Sequence, residues 1–217
     1  MVQSGDLDII FDFTTVQRSA ERVRDMLLAL RKRFDLSPFE YARQVRIAPM
    51  EMSYSHPRIT LNTWVREDLP LLSMYLHEQM HWYATWYSHA HAPQWRKLFE
   101  RLRERYPTAP VGGAEGAQDE FSTYLHLLVN WLEIEAVSAF VDRERIVQHV
   151  LAQPFYRWIY RTVVNDWQSL DALYLEYRVL PIRPATDMSD EDLRLAGLTD
   201  EAATLDPGVS NTRRNPV

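Results

Sequence analysis

From Asp68 to about Ala92 the sequence demands one long helix that other elements must surround. Leu71, Leu72, Tyr75, Leu76, Met80, Tyr83, Trp86 and Tyr87 recur at helical spacing. Glu67 and Asp68 put acid at the start, where the helix dipole favours it. Pro70 falls in the first turn, where its missing N–H costs nothing, and Pro93 ends the pattern. A polar stripe runs through this apolar helix on the side of Ser73, His77, His81 and Thr85. A helix of that kind is expected to be buried and to line a cavity.

Within the stripe stands His77-Glu78-Gln79-Met80-His81. Residues four apart lie one above the other on a helix, so both imidazoles reach one point. Two neutral imidazoles so placed suit Zn²⁺, at about 2.0–2.1 Å per Zn–N bond. Glu78, beside the first ligand, reaches a water at the metal without taking a coordination position. A chance match is expected roughly 0.015 times in a chain of this composition.

The flanking segments predict an α+β fold. Leu7–Phe13, Tyr41–Ala48 and Arg58–Asn62 read as strands, and Met50–Tyr54 as a hairpin partner. Val16, Ala20, Val23, Leu27, Leu30 and Phe34 define an amphipathic helix between the first two strands, with Thr14 or Thr15 as its cap. Trp95, Leu98, Phe99 and Leu102 mark a further helix after Pro93. Thr108–Gln118, with Pro110, Gly112, Gly113 and Gly116, is a loop and the best boundary in the chain. Helices are then expected over 121–140, 144–151, 155–166 and 170–180. The organisation expected is a small sheet and active-site helix in 1–110, a mainly helical half packed on it in 111–184, and a flexible acidic tail in 185–217.

The chain has no cysteine, which removes disulfides, thiolate catalysis and Cys-based zinc modules; His and carboxylates must hold any metal. The net charge of −6 is uneven: residues 1–110 carry +2 and residues 111–217 carry −8. That balance argues against a nucleic-acid partner, and basic runs such as Arg31-Lys32-Arg33 read as solvated helix faces. No run approaches the ~20 apolar residues of a membrane span. Met1–Asp12 lacks the basic and apolar regions of a signal peptide, so cytoplasmic residence is the expectation.

A catalytic zinc takes three protein ligands and keeps one position open. Beyond His77 and His81 the sequence offers His91, His89, Glu133 or Glu135, and His126. Asp119, Thr123, His126, Asn130 and Glu133 form a polar stripe on an otherwise apolar helix. Facing solvent, such a stripe is a wetted face; facing inward, it supplies a ligand or supports one. A gluzincin arrangement would take Glu133 or Glu135. His56 reads as a turn residue before Pro57, His149 as a favourable charge at a helix C-terminus, and Phe155–Tyr160 as helix core.

Arg58-Ile59-Thr60-Leu61-Asn62, Leu76-His77-Glu78-Gln79-Met80-His81 and His91-Ala92-Pro93-Gln94-Trp95, in that order, resemble the SprT-like metallopeptidases over about residues 58–106. The resemblance implies a zincin-like fold, His91 as third zinc ligand and Glu78 as general base. It also implies hydrolysis of a peptide or protein substrate, aligned along the edge of the Arg58–Asn62 strand. A non-catalytic zincin-like module, regulatory or partner-binding, is the competing expectation.

Overall fold

The structure is a computed structural model, and it describes residues 8–11 and 17–198. Thr14 and Thr15, and the tail beyond 198, lie outside the described residues. Three parallel strands, β1 (Asp8–Phe11), β2 (Gln44–Ile47) and β3 (Ile59–Leu61), form a small sheet in the order β1-β2-β3. Ile9 pairs with Val45, and Val45 with Ile59. A parallel pair needs a crossover. Between β1 and β2 it contains α1 (Gln17–Arg33), which buries Ala20, Val23, Leu27 and Leu30.

The rest is helical: α2 (Asp68–Ala90), α3 (Ala92–Arg105), α4 (Glu120–Ser138), α5 (Arg143–Leu151), α6 (Arg157–Asn165), α7 (Trp167–Glu176) and α8 (Asp190–Ala196). The α+β class therefore holds. No described helix is long and apolar enough to cross a membrane.

The chain packs around α2, as its apolar circumference requires. Leu71, Leu72, Tyr75, Leu76 and Met80 are fully buried, each large side chain contributing about 1.5–3 kcal/mol. Toward the sheet, the Gln79 amide copies a strand partner: it accepts from Ala42 N at 2.9 Å and donates to Ala42 O at 2.8 Å. Beside it Tyr75 donates to Glu40, which is paired with Arg31 at 2.8 Å. On another side, the hydroxyls of Tyr83 and Tyr87 donate to the carbonyls of Val179 and Tyr177. A third side carries α4.

Two expectations are corrected. Met50–Tyr54 forms no strand; it contributes a single antiparallel bridge, Tyr54 to Thr60, with hydrogen bonds of 3.1 and 2.8 Å. Those bonds take the outward-facing backbone of β3, and Ser53 Oγ accepts from Asn62 N at 3.0 Å. The Arg58–Asn62 edge is thus already paired. Residues 185–198 are also no loose tail. The Trp86 indole donates to Asp192 at 2.8 Å, Asp192 pairs with Arg183, and His56 Nε2 donates to Ala196 O at 2.9 Å. Ser189 and Asp192 form a reciprocal capping box that starts α8 against α2.

Candidate metal centre

α2 and α4 lie side by side and turn their polar stripes toward each other. Asp119 caps α4, accepting from Ser122 N at 2.6 Å. His126, Asn130 and Glu133 then fall at three- and four-residue intervals, all buried. Three imidazoles meet between the helices: His77, His81 and His126, with one ligating atom of each within 4.8 Å of the others. His77 Nε2 and His81 Nε2 are 3.2 Å apart. Two nitrogens bound to one tetrahedral zinc sit about 3.3 Å apart, from the bond length and angle.

Two of the other ring nitrogens are committed. His77 Nδ1 donates to Glu133 at 2.9 Å, and His126 Nδ1 donates to the Ser122 carbonyl at 2.7 Å. Both rings therefore keep the Nε2 lone pair free, as a metal ligand must. Glu133 is itself held by three donors: Ser73 Oγ, His77 and the Tyr160 hydroxyl at 2.9 Å. A buried carboxylate so held fixes the rotation of the His77 ring and raises its basicity.

The electrostatics agree with this set. Burial, the largest influence, lowers His81 well below the ordinary imidazole value, and the neighbouring rings of His77, His126 and His56 add to it. Burial likewise brings His126 down to about 3, helped by His77. On His77 burial also pulls down, but the Glu133 hydrogen bond and the charges of Glu133 and Glu78 outweigh it, and the net shift is upward. Burial pushes Glu78 up to about 7; His77 opposes this and Glu133 adds to it. A carboxyl near neutrality suits a general base. Among the described residues none hydrogen-bonds Glu78, so its oxygens remain free for a water or substrate group.

The structure brings together His77, Glu78 and His81 but leaves His91 apart. His91 sits at the junction of α2 and α3, its ring against Trp86 at 5.6 Å and Tyr87 at 5.1 Å. Ten residues of helix carry it about 15 Å along the axis from His81, and a non-helical break at His91 starts α3, whose Phe99 packs on Phe121 of α4 at 5.1 Å. The third nitrogen comes from His126. Glu135 is exposed and paired with Arg143 at 3.4 Å, while Glu133 stands behind His77 rather than in the cluster. His89 lies near the end of α2, outside the cluster.

Tyr156, which the sequence places in helix core, neighbours the cluster. Tyr156 precedes α6 with φ of 54°, and its ring lies 4.3 Å from that of His126. Burial, then the charge of Glu78, pushes its hydroxyl up to about 12. The glycine loop sets this position. Gly116 packs so closely on Pro110 O that no Cβ fits, and the carbonyls of Ala114 and Glu115 accept from Arg157 N at 2.9 Å and Trp158 N at 3.2 Å. Glu115 also pairs with Arg157 and Arg161.

Comparison with known proteins yields no match to a family model, a curated protein or a solved structure.

Proposed function

We propose that this chain is a zinc-dependent metallopeptidase of zincin-like arrangement, hydrolysing peptide bonds in a peptide or protein substrate. The observation that carries this reading is the convergence of His77, His81 and His126, with an unengaged Glu78 beside them. Three imidazoles fit a catalytic zinc with its fourth position open. Zn²⁺ supplies Lewis acidity there, polarising a carbonyl and acidifying water. Glu78 takes the proton of the attacking water and delivers it to the leaving amine nitrogen as the C–N bond breaks. Glu133 holds the His77 ring in place while this happens.

A second reading, a metal-holding module without turnover, has one observation in its favour: His81, His126 and Glu78 are each less than a tenth exposed. One experiment separates the two. Purified protein is assayed for bound zinc by elemental analysis and for cleavage of a peptide library, with a chelator control, alongside Glu78→Gln. The peptidase reading expects chelator-sensitive cleavage by the parent and zinc without cleavage in the variant. Zinc with no cleavage in either supports the module, and no zinc in the parent refutes both.

A further inference from the structure

Tyr156 combines three features that packing alone does not call for. Its backbone is in the left-handed region, at φ of 54°, which is strained for a non-glycine residue. The strain is held from both sides: Tyr156 O accepts from Tyr160 N at 2.8 Å, and the next two N–H groups are taken by the Ala114 and Glu115 carbonyls. Strain maintained in this way places a side chain where relaxed backbone would not.

The second feature is where the side chain goes. The ring lies on His126, tilted by 40°, with Phe155 edge-on at 5.5 Å beyond it. It is only partly buried, whereas the imidazole beneath it is 8 % exposed. Tyr156 thus lies at the boundary between the buried cluster and solvent.

The third feature is the hydroxyl. Tyr41, Tyr75, Tyr83, Tyr87, Tyr106, Tyr124 and Tyr160 donate to a protein acceptor, whereas the Tyr174 hydroxyl has none but is fully buried away from the cluster. Tyr160, one turn along the same helix, gives its hydroxyl to Glu133. Among the described residues none pairs with the Tyr156 hydroxyl. A strained residue keeps a neutral O–H donor free beside a cluster built for hydrolysis.

We infer that Tyr156 is a catalytic residue whose phenol donates a hydrogen bond to the scissile carbonyl oxygen as that oxygen gains negative charge. This rests on the peptidase reading. Water oxygen bonds to the carbonyl carbon, the C=O π pair moves onto oxygen, and Glu78 takes the water's proton. The phenol keeps its own proton and only shares it. When the C–N bond breaks, the pair returns to form C=O, and the proton on Glu78 goes to the amine. A donor aimed at the developing charge, and not at the resting carbonyl, lowers the barrier.

The variant is Tyr156→Phe, which keeps the ring on His126 and removes only the donor. Kinetics on a peptide that the parent cleaves are measured beside calorimetric binding of two non-reacting peptides of the same sequence. One carries a phosphinate in place of the scissile amide, and the other a reduced CH₂–NH link. We expect kcat to fall about 10²–10³-fold with little change in KM. Binding of the phosphinate should weaken by at least tenfold, binding of the reduced peptide should not change, and zinc content should stay at the parent level. Unchanged kcat and unchanged phosphinate binding overturn the role of Tyr156 and leave the peptidase reading standing. Equal weakening toward both peptides, or loss of zinc, assigns Tyr156 to packing and overturns the role. A parent that binds zinc but cleaves no peptide overturns this inference together with the peptidase reading.

Discussion

Replacing Glu78 by Gln tests the centre through stability, before any substrate is known. The carboxyl is 5 % exposed, and burial above all raises it from 4.5 to about 7. Below pH 4.5 the acid is protonated in both folded and unfolded chains and is neutral to stability. Between pH 4.5 and 7 the unfolded chain ionises while the folded one keeps its proton, so stability falls across that window, and above 7 both are ionised and the loss is constant. At ~1.36 kcal/mol per unit, this displacement destabilises the metal-free protein by about 3 kcal/mol at pH 8 and by under about 1 kcal/mol at pH 5. Gln has nearly the same shape and no charge. Metal-free Glu78→Gln is therefore expected to exceed the parent in stability by about 3 kcal/mol at pH 8, with the gain largely gone at pH 5. Urea denaturation with chelator present, followed by the fluorescence of the 7 tryptophans, measures this at both pH values. In the zinc-saturated protein the gain at pH 8 should shrink, because the cation compensates the carboxylate. A variant less stable than the parent at pH 8, or a difference that ignores pH, refutes the reasoning.

Three further outcomes are expected. His126→Ala should lose zinc while His91→Ala keeps it, by elemental analysis after gel filtration; the reverse would restore His91 as the third ligand. Glu133→Gln keeps the shape but not the charge behind His77, so zinc affinity should fall about 10–100-fold in a competition titration with a chromophoric chelator. Unchanged affinity would show that Glu133 does not support the ligand. Gly116→Ala would place a methyl on the Pro110 carbonyl, costing about 1–3 kcal/mol and lowering Tm by several degrees. An unaltered Tm would mean the loop is not packed as described.

The metal motif was legible in the sequence because it is local. His77, Glu78 and His81 lie within one helix turn, and the apolar periodicity on either side requires that turn to be helical. The third imidazole of the cluster is not local. His126 is 45 residues beyond His81 along the sequence, and only the packing of α4 on α2 brings it to the centre. Its signal was present in the stripe Asp119, Thr123, His126, Asn130 and Glu133, neutral or acidic side chains on a helix otherwise apolar. That pattern fits a wetted face as well as an inward one, and periodicity cannot tell which way a face points. The SprT-like resemblance favoured His91 through the segment His91-Ala92-Pro93-Gln94-Trp95. Ten residues of α2 carry that ring away from His81 along the helix axis instead.

Sequence alone determined that a long, nearly all-apolar helix carries two imidazoles and a carboxylate, that no thiolate takes part, and that a sheet precedes and helices follow. These follow from composition and from periods of two and 3.6 residues, which neighbouring residues set by themselves. Tertiary structure alone decided that His126 joins the cluster and Glu133 stands behind His77. It also decided that the edge of β3 is already paired, that α8 straps onto α2, and that Tyr156 is held over the site with its hydroxyl free. Each of these depends on which distant surfaces bury each other, a competition among whole faces that no short stretch of chain records.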